Sequence, residues 1–263
     1  MIPTLFSIGP FPVNSFGLMV ACSLVVAIYV LTNSFKVYGL KPELAENFAM
    51  TGGIVGLISA RIWYILENWS ELKDNLPSAI FSSAGFTFYG GFAISVLTLY
   101  ILCKKNNIPF KTFLNAVGPT MTLGYLVGRL GCQLSGDGDY GIITNTIFGM
   151  SYSTGVVPTL SGQLAFPTPL YESAWCAFVL PFLFKIEDKI KLNNSFWSVG
   201  LRPFGAYLVT VSLERFFVEF LRRNDRVPVV FLNLSEAQII ALCLTVLGVY
   251  FFAPQRTRST QRN

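Results

Sequence analysis

Apolar residues gather in seven long windows along the chain, at about 14–33, 47–66, 86–103, 112–134, 170–186, 198–221 and 235–253, with short polar stretches between them. A helix rises about 1.5 Å per residue, so about 20 residues cross a hydrocarbon core of about 30 Å. The pattern therefore predicts an all-α membrane protein of seven transmembrane helices. One connection breaks the rhythm. Residues 135–169 carry only Asp137 and Asp139 as charges and mix Thr, Ser, Gly and Pro with apolar residues. A connection of that length in a compact protein is more often functional than idle. It predicts a small cap with short strand character after the fourth helix. Residues 1–13, with Pro3, Pro10 and Pro12, predict an irregular segment lying along an interface. No internal repeat or low-complexity tract divides the chain, so residues 1–263 read as one polytopic domain with 135–169 inserted as its cap.

Composition sharpens this. The chain is 52% hydrophobic and 13% charged, with a mean hydropathy of +0.55, which argues against an ordinary soluble domain. Its 24 Phe, 11 Tyr and 4 Trp suit rings facing lipid and headgroups. The segment Met1–Phe6 lacks the basic region of a cleaved signal peptide, so the first span is expected to stay in place. Basic residues are dispersed and form no stripe, which excludes nucleic acid as a partner. With no histidine and five isolated cysteines, a zinc or haem site is excluded and no cofactor is expected. Loops 34–46, 104–111 and 187–197 and the tail after 253 hold most of the Lys and Arg. The opposite loops hold Lys73, Arg222, Arg223 and Arg226. The positive-inside rule then places the N terminus and the cap outside and the C terminus in the cytoplasm. The arginines at 222–226 run against that rule. Either they bind something or the last two windows are misplaced.

The same orientation brings charges to one depth. Arg61, Arg129, Glu214, Arg215 and Glu219 fall near the outer ends of their windows. Thr87–Gly91 and Pro169–Glu172 open two others, and Asp137 and Asp139 follow at once after Arg129. An ionised side chain at membrane depth costs roughly 2.5–3.5 kcal/mol on insertion scales and usually faces a cavity or a partner. Arginine stays charged when buried and grips phosphate oxygens in a fork. A phosphate headgroup is thus the first candidate ligand. Each residue also has a plainer role. Arg215 and Glu219, four apart, can neutralise each other on a helix. Arg61 can reach headgroups by snorkelling, Asp137 and Asp139 can serve as turn formers, and Gly90–Gly91 can allow close helix packing.

Gly128-Arg129-Leu130-Gly131 followed by Gly136-Asp137 resembles the signature of the prolipoprotein diacylglyceryl transferase family. Five further stretches resemble that family's motifs in the same order. They are Ile8-Gly9-Pro10 with Gly17-Leu18, Ala60-Arg61-Ile62-Trp63-Tyr64, Phe88-Tyr89-Gly90-Gly91, Pro167 to Glu172, and Arg215-Phe216-Phe217-Val218-Glu219-Phe220-Leu221-Arg222. The resemblance covers nearly the whole chain. It implies seven spans with the N terminus outside, and transfer of a diacylglyceryl group from phosphatidylglycerol to the lipobox cysteine of a prolipoprotein, at the outer face of the inner membrane. The implied partners are phosphatidylglycerol, the signal-peptide lipobox segment and membrane lipids. Arg129 and Arg215 would be the essential arginines and Glu219 the acidic partner of Arg215, with Asp137 or Asp139 near the family's signature glutamate. The chain departs from the pattern at Tyr89 and Phe166, where the family has histidines, at Cys132 and Ser135, where it has asparagines, and at Phe16, where it has tyrosine. It therefore resembles a divergent branch without the usual histidines.

The expected mechanism does without a histidine base. Arg129 and Arg215 clamp the phosphodiester, Asp137 or Asp139 takes the thiol proton, Tyr89 hydrogen-bonds the substrate and Glu219 orients Arg215. Arg61, Gly90, Gly91, Tyr171 and Glu172 complete the headgroup site. Two other classes stay open: a paralogue that binds phospholipid headgroups without this turnover or uses another acceptor, and a small membrane transporter.

Overall fold

The computed structural model describes residues 1–9, 11–81, 87–192, 200–222, 229–231 and 234–253. Arg223, Arg226 and the basic tail after residue 253 lie outside the described residues. The chain opens with an antiparallel hairpin of β1 (Thr4–Ile8) and β2 (Phe11–Asn14), which leads into α1 (Ser15–Val37). The second helix, α2 (Glu43–Glu67), is followed by two short ones, α3 (Trp69–Leu72) and α4 (Leu76–Phe81), and then by α5 (Phe88–Lys105) and α6 (Phe110–Ser135). The segment after α6 holds a small hairpin of β3 (Ile143–Thr144) and β4 (Leu164–Ala165). Next come α7 (Thr168–Leu192), α8 (Arg202–Val218), the β5 (Val229–Phe231) and β6 (Leu234–Ser235) pair, and α9 (Glu236–Phe252).

The expectation of seven transmembrane helices in an all-α chain is corrected by this structure. Among the described residues, two helices, α1 and α2, are long and apolar enough to cross a membrane. α8 and α9 have 17 residues each, short of a span. α6 carries Lys111 and Arg129 and buries Asn115, Thr120, Thr122 and Gln133. α7 carries Glu172, Lys185, Glu187, Asp188, Lys189 and Lys191. Windows of average apolarity do not register such polar positions. Among the described residues, three two-stranded sheets also accompany the helices. Two candidate spans do not support a multi-pass inner-membrane topology with a periplasmic N terminus and cytoplasmic C terminus, and that expectation falls with the seven spans.

α6 is the axis of the packing, touching α1, α7 and α8, while α2 packs on α5 and α8 on α9. Around the N-terminal half of α6, the rings of Phe35, Phe48 and Phe113 meet with centroids 5.1–6.3 Å apart. Ala45, Cys103 and Ala116 fill the space between them. A second apolar seam joins Val179, Leu183, Ile186 and Ile190 of α7 to Ala206 of α8. Phe113 and Arg129 are 16 residues apart, which is about 24 Å along the α6 axis. The apolar core thus anchors one end of α6 and leaves the other free to carry charge. Two prolines, Pro119 in α6 and Pro181 in α7, are accommodated without ending either helix.

Candidate functional site

α6 ends where Gly136 turns into the left-handed region, with φ 61°, and its N–H donates to the Cys132 carbonyl at 2.9 Å. That cap reverses the chain, so Asp139 faces back towards Arg129, six residues before the end of the helix. The chain then runs beside the end of α8. Gly141 bridges to Arg222, and the Ile142 N–H donates to the Leu221 carbonyl at 2.9 Å. A Cβ on Gly141 would lie 2.1 Å from that carbonyl oxygen, so only glycine lets the two strands approach this closely. Backbone geometry alone therefore brings Arg222 within reach of Asp139.

Three arginines and three carboxylates meet here. Arg129 Nη1 pairs with Asp139 Oδ2, and its Nε lies 2.6 Å from Glu172 Oε2. Arg222 reaches Asp139 Oδ1 at 3.0 Å and Glu172 Oε1 at 3.3 Å. Arg215 lies 4.0 Å from Glu172 Oε1 and 2.9 Å from Glu219 Oε2. Glu172 is fully buried, at 0% exposure, near the start of α7, and serves as the hub for all three guanidiniums. Breaking a buried pair by removing one partner leaves an uncompensated charge, so the members of such a cluster hold one another in place. Arg129 also lies over the Tyr125 ring, 5.1 Å from its centroid. Glu219 accepts from the Ser235 hydroxyl at 3.1 Å, and Ser235 caps α9 in a reciprocal box with Gln238. The Thr168 hydroxyl donates to the Asp139 carbonyl at 2.7 Å and pins the turn to the start of α7.

The two aspartates differ electrostatically. Burial pushes the Asp139 carboxyl up, but Arg129 and Arg222 outweigh it and hold the group below its ordinary value. Burial, reinforced by the Asp139 charge, raises Asp137 above its ordinary value; the Cys132 thiol, the Asp139 backbone N–H and Arg129 oppose this only in part. The Asp139 N–H donates to Asp137 Oδ1 at 3.3 Å, the local turn geometry common for aspartate. Cys132 Sγ and carboxylate oxygens of Asp137 and Asp139 lie within 4.8 Å of one another. Arg129 Nη1 is 3.9 Å from the Cys132 sulfur, and a cation placed among those three groups would face that guanidinium.

Of the residues singled out from sequence, Arg129, Arg215, Glu219, Glu172 and Asp139 come together in this cluster, with Asp137 beside it. Others lie elsewhere. Arg61 is buried on α2 with its guanidinium 5.5 Å from the Tyr64 ring centroid. Tyr89 is exposed at the start of α5. Gly90 and Gly91 face α2: a Cβ on Gly90 would meet Trp63 at 2.3 Å, and one on Gly91 would meet Ala60 and the Gly56 carbonyl at 2.7 Å. Their lack of side chains is what allows that packing. The Tyr171 hydroxyl donates to the Phe148 carbonyl at 3.3 Å, tying α7 to the preceding segment.

Arg222 stood out in the sequence as a charge against the positive-inside rule and as the last residue of a motif, without a named role, and it is a full member of the cluster. The signal was present: residues 215, 219 and 222 follow the i, i+4, i+7 spacing of one helical face. Tyr125 and Ser235 had no such signal, and the buried Glu214 was noted beside Arg215 without being assigned to the site.

A family model described as "Prolipoprotein diacylglyceryl transferase" matches residues 3–253. The chain is 28% identical to the phosphatidylglycerol–prolipoprotein diacylglyceryl transferase of Clostridium tetani, an alignment covering 98% of this chain and 99% of that one. It is 29% identical to the same-named protein of Prochlorococcus marinus, over 94% and 88% of the two chains. With that of Leptospira interrogans it shares 27%, over 90% and 87%. On this evidence the chain belongs to the prolipoprotein diacylglyceryl transferase family, as a divergent branch of these lipoprotein-biosynthesis transferases.

Proposed function

We propose that this enzyme transfers the diacylglyceryl group of phosphatidylglycerol to the cysteine thiol of a lipobox, releasing glycerol phosphate. The observation that carries the reading is the convergence of Arg129, Arg215 and Arg222 on Glu172 and Asp139. A phosphodiester bears one negative charge over two non-bridging oxygens. Asp139 offers the same charge on two oxygens, each held by a different arginine. Its side chain is 37% exposed, whereas Glu172 and Glu219 are buried, so Asp139 is the acid an incoming anion displaces most easily. The headgroup phosphate then spans Arg129 and Arg222, with Arg215 alongside. Phe217 and Phe220, exposed beside these arginines, offer apolar surface to acyl chains.

In the transfer, the thiol sulfur attacks the glycerol carbon that bears the phosphoester. The S–C bond forms, the C–O bond breaks, and the electron pair leaves on a phosphate oxygen, where the guanidiniums stabilise the growing charge. A thiol of pKa ~8.5 is mostly protonated at neutral pH, so a base must take its proton. Asp139 is a poor base while two arginines hold it ionised. Asp137 has the raised affinity for protons that the step needs, and we assign it the role. The test is the mass of a lipobox peptide incubated with purified protein and phosphatidylglycerol. The peptide gains one diacylglyceryl unit if the reading holds; an unchanged mass, with the lipid shown to bind, rejects transfer.

A further inference from the structure

In the arginine cluster Asp139, Glu172 and Glu219 each have a guanidinium partner, whereas one buried acid beside them has none among the described residues. Glu214, next to Arg215 on α8, is 3% exposed, and neither of its carboxyl oxygens has a hydrogen-bond partner. It faces Tyr125 and Arg129 from α6, Glu172 and Cys176 from α7, Arg215 on its own helix, and Arg222 beyond it. A carboxylate buried without donors is strongly disfavoured and takes up a proton instead. The surroundings agree: burial, then the Glu172 charge, push the group up to about 7, with the arginines pulling the other way.

Charge counting gives this acid a role. In the described cluster three guanidiniums face three carboxylates, those of Asp139, Glu172 and Glu219. When a phosphodiester replaces Asp139, the balance is kept only while Glu214 is neutral. We infer that Glu214 is a further determinant of headgroup binding: it serves the anion site as an uncharged acid, and its ionisation weakens the grip of the arginines on phosphate. The inference rests on the proposed headgroup site and adds the protonation state in which that site binds. With no histidine in the chain, few groups other than buried carboxyls titrate near neutrality. Among the described residues, the other deeply buried carboxyl outside the cluster is Glu187, 15 residues along α7 from Glu172 and about 22 Å away along the helix axis.

The experiment is the thermal unfolding of the full chain in neutral detergent with short-chain phosphatidylglycerol, against phosphatidylcholine, at about pH 6 and about pH 8.5, either side of the Glu214 transition. The unmodified protein should be protected by phosphatidylglycerol at the lower pH and bind it about tenfold more weakly at the higher one. Glu214→Gln, which keeps the neutral shape, should be protected equally at both. Glu187→Gln should retain the dependence of the unmodified protein. A Glu214→Gln variant that folds but loses protection at both pH values, or keeps the unmodified protein's pH dependence, overturns the inference. So does protection of the unmodified protein that is independent of pH, although that result leaves the headgroup site standing. Absence of any phosphatidylglycerol-specific protection, together with an unchanged lipobox peptide, removes both.

Discussion

Asp137 and Asp139 stand two residues apart, share a turn, and are given opposite characters by their neighbours. Asp139 lies between two guanidiniums that keep it ionised; Asp137 sits where burial and a like charge favour its protonated form. If Asp137 takes the thiol proton, Asp137→Asn should lower kcat for peptide transfer by about 10²–10⁴, the usual contribution of a positioned base. Activity of the unmodified enzyme should also fall as pH drops through the raised Asp137 value. Asp139→Asn should spare kcat far more and change mainly KM for the lipid, because it removes the anion that competes with phosphate. Equal losses of kcat in the two variants would sink this division of roles. Stability has its own sign. Because Asp139 is held below the ordinary carboxylate range in the folded protein, its contribution is present above that range and is lost as pH falls through the depressed value. With a side chain 37% exposed, that contribution is modest, about 0.2–1 kcal/mol on the scale of partly exposed pairs.

Helix ends place these residues. Arg129 lies six residues before the end of α6, Glu172 lies in the first turns of α7, and Arg215 lies in the last turn of α8, so the end regions of three helices form the cluster and the turn after α6 supplies Asp139. That much was legible in the sequence, because charges at the margins of apolar windows stand out. The contribution of residues 141–142 was not. A two-residue pairing with residues 221–222 leaves no hydrophobic pattern, and only the closeness demanded at Gly141 reveals it. Gly90 and Gly91 show the reverse. They were assigned from sequence to the headgroup site, but their Cα positions are pressed against α2. Gly91→Ala should therefore destabilise the α2–α5 contact by about 1–3 kcal/mol, the usual cost of overpacking. It should leave KM for phosphatidylglycerol unchanged in the protein that remains folded. A raised KM without a fall in Tm would return Gly91 to the binding site.

The whole molecule is a helical assembly with an apolar core at one end of α6 and an arginine–carboxylate cluster at the other. The positions of the helices could be read from the apolar windows, but their number as membrane spans could not. Window averages do not separate outward from inward polar residues, and α6 and α7 turn several inward, Asn115, Thr122 and Gln133 in the one and Glu172 and Glu187 in the other. The family could be read from spaced motifs across the chain, because glycines and charges at set separations are distinctive where apolar stretches are not. Glu214 was noted in the sequence with its neighbours but given no role, because one acid beside an arginine in a helix has no distinctive spacing; its burial and missing partners mark it. The central claim is that a planar guanidinium at position 129 grips the phosphate of phosphatidylglycerol during transfer. Turnover of a lipobox peptide by Arg129→Lys, folded and with its charge kept, tests this most directly. The account predicts a loss of about 10²–10³ in kcat, because the ammonium cannot reproduce the fork; near-normal turnover would contradict it.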